Sequence, residues 1–262
     1  MAGEFSGKIV VVSGGSRGIG RAIATAFAGA GAETVLAASS EANLAAAAQA
    51  IAEGGAPVPT TCAADLRRPE ECEKVFALVE ARFGRCDILV NSAGATRAGA
   101  FLELSEEVWQ DGFALKFFAC VRLCRLFWPM LKAAQGRVVN IVGGAARTPD
   151  SEFLIGGSVN AAMANFSKGL STLGKRDGVI VNAILPGLTE TGRVEQLFRQ
   201  RAEATGKTPE QVRAEAVAKE GLRRLAQPED IAALALFLCS EHAGHIQGTS
   251  IAIDGGATSG VY

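Results

Sequence analysis

Ser13-Gly14-Gly15-Ser16-Arg17-Gly18-Ile19-Gly20 is the stretch whose residue types and spacing could do chemistry. It follows the apolar run 9–12 and opens onto Arg21-Ala22-Ile23-Ala24-Thr25-Ala26-Phe27, apolar at helical spacing. The glycines therefore occupy a strand–turn–helix, the setting in which such a loop has a physical reading. Gly14 permits a tight turn, Gly18 lets a ligand approach the backbone, and Gly20 lets the helix pack against the strand. The first amides of that helix lack intrahelical partners and sit at its positive end. The loop thus predicts a pyrophosphate cradle, with Ser16, Arg17 and Ile19 among its lining.

The elements that must carry this loop follow from the hydropathy pattern. Near-continuous apolar runs at 8–12, 33–37, 58–63, 88–91, 137–142, 179–185 and 250–254 alternate with longer helical patterns. That alternation is the signature of a parallel sheet buried on both faces. Together with the crossover rule and the family resemblance that the motifs below carry, it implies an α/β, doubly wound, mostly parallel seven-stranded sheet of Rossmann type, with helices on both faces and the cofactor across the carboxyl ends of the strands. A chain of 262 residues is read as a single domain over 1–262. A net charge of −1 with interspersed signs gives no reason to expect nucleic acid or a membrane surface. No apolar stretch is long enough for a span, and six cysteines without a Cys-x-x-Cys pair fit free thiols in a reducing cytoplasm. His242 and His245 lie in a turn before the last strand, and no metal site is expected.

The end of the second strand bears on cofactor choice. An NAD enzyme usually places a carboxylate there for the ribose 2′-hydroxyl; Ala38 stands in that place. Ser39 and Ser40 are available to donate to a phosphate and Arg17 to supply charge, although both serines also suit a helix cap. NADP is favoured, with NAD left open by the neighbouring Glu41. Further along, Ser105-Glu106-Glu107 reads as a capped start of a long helix. Trp109, Phe113, Lys116, Phe117, Cys120 and Cys124 fall on one face of it. A lysine on such a face either snorkels to an edge or serves a site. Phe117, Phe118, Val121, Leu123 and Phe127 are too many large residues for one sheet-facing stripe, so some are expected between subunits.

Several motifs together resemble the short-chain dehydrogenase/reductase family. The loop spacing matches its Thr-Gly-x-x-x-Gly-Ile-Gly, with Ser13 for threonine. Asn91-Ser92-Ala93-Gly94 resembles its Asn-Asn-Ala-Gly, and Pro186-Gly187-Leu188-Thr189-Glu190-Thr191 its Pro-Gly motif below the nicotinamide. Ile251-Ala252-Ile253-Asp254-Gly255-Gly256 resembles its closing strand, and Asp65-Leu66 its adenine contact. The resemblance implies cofactor contacts at Gly14, Ser16, Arg17, Gly18, Ile19, Gly20, Ser39, Asp65, Leu66, Asn91, Ala93, Gly94, Pro186, Gly187, Thr189 and Thr191. It further implies a helical lid over a small-molecule substrate at about 188–220 and assembly as a homodimer or homotetramer.

The family's four catalytic positions are occupied differently. Lys116 stands at its asparagine, Gly143 at its serine, and the register of Ala161-Ala162-Met163 puts Gly156 at its tyrosine and Asn160 at its lysine. The chain has one tyrosine, Tyr262, its last residue, which an assembly could bring to a neighbour's site. Candidate substitutes are Lys116 and Ser158, then Asn160, Arg97, Arg147 and Asp150. The leading expectation is an NAD(P)-dependent oxidoreductase of an unidentified carbonyl or alcohol with a non-standard acid. A cofactor-binding protein without turnover and a non-redox isomerase or lyase are the alternatives.

Overall fold

The computed structural model describes residues 3–258. Its centre is β1 (Ile9–Ser13), buried at all five positions, as a strand covered on both faces must be. With β2 (Glu33–Ala38), β3 (Thr60–Ala63), β4 (Ile88–Asn91), β5 (Arg137–Ile141), β6 (Ile180–Pro186) and β7 (Ser250–Ile253) it forms a seven-stranded sheet in the order β3-β2-β1-β4-β5-β6-β7. Every pairing is parallel. The order reverses between β1 and β4, which opens a crevice at their carboxyl ends. The third strand begins at Thr60 rather than 58, because Val58 is exposed and has no ladder partner on β2.

Helices α1 (Gly18–Gly29), α2 (Glu41–Glu53) and α9 (Pro228–Cys239) cover one face. There Ile23, Phe27, Leu44, Ile51, Ile231 and Leu236 pack onto Val10, Val12 and Leu36. Helices α3 (Pro69–Phe83), α5 (Ala119–Ala134) and α6 (Leu154–Asp177) cover the other, through Val75, Val79, Leu123, Phe127, Leu131 and Met163. Helices α7 (Gly192–Thr205) and α8 (Pro209–Lys219) share a small separate cluster of Phe198, Ala202, Val212 and Leu225. Among the described residues no helix is long and apolar enough to cross a membrane.

The long helix expected from Ser105 is in fact broken in register. A short α4 (Glu106–Gly112) runs into a π-helical segment, Phe113–Phe118, before α5 begins. The wider π turn re-aims the side chains, so the expected single stripe is split. Trp109, Phe113 and Phe118 line an outward groove, while Cys120 and Cys124 enter the core. Leu123 and Phe127 are likewise fully buried within the protomer, and of the five residues expected between subunits only Phe118 is exposed. Ser105 does not cap the backbone; its hydroxyl engages the Glu107 carboxylate.

Asp87, just before β4, is the buried electrostatic anchor of the sheet's amino end. Its carboxylate accepts from the Ile9 amide (3.0 Å) and from Arg85 (2.6 and 2.8 Å), and Lys8 lies at 3.4 Å. Burial opposes its ionisation, but the Arg85 hydrogen bond, the Ile9 amide and the two cations outweigh it and hold its pKa below the usual carboxylate value. A depressed carboxylate contributes stability that is present above its unfolded pKa and lost as pH falls through the folded one. Asp87→Asn is therefore expected to cost about 1–3 kcal/mol at pH 7. Thermal unfolding from pH 7 to pH 3 checks this: the gap between wild type and variant should narrow below about pH 4.

Candidate functional site

The glycine loop is clasped to β4 by a hydroxyl. Ser13 Oγ accepts from the amides of Ser92 and Ala93, each at 3.2 Å. Gly14 has φ +69°, and a Cβ there would lie 2.8 Å from the Ala93 Cα, so the turn has room for glycine alone. A Cβ on Gly20 would strike the Gly14 carbonyl, which lets α1 start directly under the loop. Arg17, the N-cap of α1, gives no side-chain cap, and no acid lies in the first turn. The open first amides and the close-packed cradle fit a dinucleotide pyrophosphate.

Other predicted cofactor residues meet at the same crevice. Ser16 is buried in the loop, and Gly18 faces Thr191, whose Cγ2 would lie 3.3 Å from a Cβ on that glycine. Thr191 caps α7 through its hydroxyl, and Thr189 Oγ1 donates to the Gly187 carbonyl at 3.0 Å. Pro186 ends β6, and Gly187 packs on Asp254. At the adenosine end, Ser40 caps α2 by accepting from the Asn43 amide, whereas Ser39 stays exposed and is the serine open to a ligand. Asp65 accepts from the amide and guanidinium of Arg67 (3.3 and 3.1 Å).

Two expected contacts are available through backbone alone. The Leu66 side chain is in the core. The Asn91 amide turns into the sheet, donating to Asn140 Oδ1 at 2.8 Å and facing Cys124, while Asn140 donates to Ser167 Oγ at 2.8 Å.

Beyond the crevice, Lys116 reaches inward from the π segment. Its stem lies over Gly94, where a Cβ would be 2.9 Å from Lys116 Cδ. Its amine donates to the Val142 carbonyl at 2.5 Å and to Asn160 Oδ1 at 2.6 Å. It is not snorkelled to an edge. Burial, and then the charge of Arg193, push its pKa down to about 8. An ammonium has three N–H donors, so one remains. Gly143 (φ +131°) sits beside this pair; a Cβ on it would be 2.8 Å from Asn160 Nδ2. A side chain at Gly156 would run into the ring of Phe153, which occupies that space instead.

Ser158 is not brought to this group. Positions 156 and 160 share one face of α6 and are buried, whereas Ser158, half a turn away, is exposed. Arg97 is exposed on the loop after β4, Arg147 donates to the Ser250 carbonyl (2.9 Å), and Asp150 accepts from the Glu152 amide (2.8 Å). Tyr262 lies outside the described residues. Sequence reasoning missed Phe153, for which a lone aromatic gives no signal, and Arg193, hidden in a segment of mixed charge. Among the described residues no three His, Cys, Asp or Glu side chains form a metal site.

Comparison with known proteins is consistent along the chain. Residues 14–258 match the model of a family described as enoyl-(acyl carrier protein) reductase. An uncharacterized oxidoreductase of Mycobacterium tuberculosis is 33% identical over 253 residues, 96% of this chain and 92% of its own. The 3-oxoacyl-(acyl-carrier-protein) reductase FabG of Vibrio cholerae is 31% identical over 257 residues, 97% of this chain and 98% of its own. L-sorbose reductase of Gluconobacter frateurii, solved with NADPH and L-sorbose, superposes with a TM-score of 0.95 at 33% identity, covering 100% of both chains.

Proposed function

Because the chain belongs to the short-chain dehydrogenase/reductase family, we propose that it is an NADPH-dependent reductase of a small carbonyl compound whose acid is Lys116. The observation that carries this reading is the inward amine held at 2.5 Å by the Val142 carbonyl and at 2.6 Å by Asn160 Oδ1. At the positions where the resemblance implies an asparagine and a lysine the two residue types are exchanged, Lys116 and Asn160, and they touch. When bound, the reduced nicotinamide supplies a hydride to the carbonyl carbon. Lys116 directs its third N–H at the carbonyl oxygen, stabilises the charge that develops there, and gives up the proton. A pKa of about 8 keeps most of the amine protonated at neutral pH yet makes it a far better acid than an ordinary lysine. Val142 and Asn160 fix the amine's position, and the Phe153 ring fills the space that a side chain at position 156 would take.

Preference for NADPH is supported by Ala38 and exposed Ser39 at the end of β2, with Arg17 in the loop and no carboxylate at that strand end to repel a 2′-phosphate. The packed pair α7–α8, anchored by Thr191 against Gly18, serves as the substrate lid. Titration of nicotinamide fluorescence tests the cofactor reading. NADPH should bind at least about tenfold more tightly than NADH, about 1.4 kcal/mol. Equal or tighter NADH binding contradicts the preference, and binding of neither removes the reductase reading.

The outward groove of Trp109, Phe113 and Phe118 supports assembly as a homodimer or homotetramer through α4 and α5. Light scattering at micromolar concentration should give at least twice the protomer mass; a monomer would refute the assembly.

A further inference from the structure

Ion pairing is unevenly distributed over the molecule. Arg67 is paired with Asp65 and Asp111, Arg85 and Lys8 with Asp87, Lys132 and Arg176 with Asp177, Arg213 with Glu190, and Arg224 with Asp230. Among the described residues Arg17, Lys116 and Arg193 form no ion pair, and these three gather at one place. Arg17 stands in the glycine loop and Lys116 lies over Gly94. Arg193, the second residue of α7, donates from Nη2 to the carbonyl of Thr96, in the loop after β4. Thr191, just before it in sequence, lies against Gly18. Partial burial, then Arg17, lower the Arg193 pKa, and Arg193 in turn lowers that of Lys116. Cations that repel one another, with no acid between them, make a field suited to an incoming anion.

The cofactor phosphates account for the Arg17 side, where the loop and the open amides of α1 converge. They leave Arg193, bound to the Thr96 carbonyl and near enough to both Arg17 and Lys116 for their charges to interact. A guanidinium fixed through one nitrogen to Thr96 keeps its other donors for a planar oxyanion. Arg193 retains access to solvent, as a residue that meets an entering ligand must.

We propose that Arg193 receives a carboxylate carried by the substrate, so that the protein reduces oxo acids rather than neutral ketones. This rests on the reading of Lys116 as the acid. In the reaction the keto carbon gains a hydride from the reduced nicotinamide and the keto oxygen gains a proton from Lys116 Nζ. The carboxylate is unchanged, and the amine is reprotonated from water.

Binding tests the proposal apart from turnover. Straight-chain 2-, 3-, 4- and 5-oxo acids of five to eight carbons, each beside its methyl ester, are titrated calorimetrically into the protein saturated with NADP+. At least one acid should bind about 100-fold more tightly than its ester, as a charge-assisted bidentate contact requires. Arg193→Gln should collapse that ratio to within about fivefold and leave NADPH affinity within about twofold; Arg193→Lys should give an intermediate ratio. Equal binding of acids and esters to the wild type overturns the proposal. So does an acid preference that survives Arg193→Gln, and so does a variant that loses NADPH affinity instead, which would assign the arginine to the cofactor phosphates. The reductase reading fails separately, through an acid that binds but is not reduced when NADPH is added.

Discussion

An amine removed from water must be compensated where it sits, and in this protein three elements converge to compensate one. Lys116 leaves the π segment before α5, crosses Gly94, and ends between the carbonyl that follows β5 and the Asn160 side chain on α6. Each element is constrained by the others. The π turn points Lys116 inward while its neighbours Phe113 and Phe118 face out. Gly94 has no Cβ because the lysine stem passes over it, and Gly143 has none because Asn160 fills the space. Two hydrogen bonds without a carboxylate leave the desolvation of the ammonium partly uncompensated, which is why its pKa falls rather than rises.

The cofactor half of the site obeys a different constraint, that of close backbone approach. Ser13 ties two consecutive amides after β4 to the glycine turn, and Gly14 and Gly20 admit contacts that any side chain would block. The parallel sheet places this clasp and the lysine at the same edge, because all seven strands end there. In the proposed function binding and chemistry share one crevice and meet at Gly94, which follows the clasped amides and lies under the Lys116 stem. A change at the amine is expected to leave the cradle intact.

The sheet and the cradle were legible in the sequence because their signals are local and repeated. Unbroken apolar runs such as 9–12 have no reading except burial on both faces, and glycine spacing between a strand and a helix states its own geometry. Lys116 was legible as an anomaly on an apolar stripe. Its partners were not, since a backbone carbonyl at Val142 carries no side-chain signature and Asn160 lies 44 residues away. The split of the stripe was hidden for a related reason: a single π turn shifts every later residue by one position without changing composition. Ser158 lies at the start of the helix that carries positions 156 and 160, but helical phase turns it outward. Arg193 gives no signal because its segment contains as many acids as bases, and only the fold shows which cations those acids pair with.

The central claim is that Lys116 delivers the proton, and the pH dependence of kcat/KM with and without it is the most direct measure. With NADPH and a carbonyl substrate found by screening, the wild-type value should be level below pH 8 and fall about tenfold per unit above it, because the protonated amine is the active form. Lys116→Met keeps the bulk of the stem. It should bind NADPH as the wild type does, lose about 100-fold or more in turnover, and lose the break near pH 8. A Lys116→Met protein that retains full kcat and the same pH break would show that the lysine is only a core residue and that another group supplies the proton.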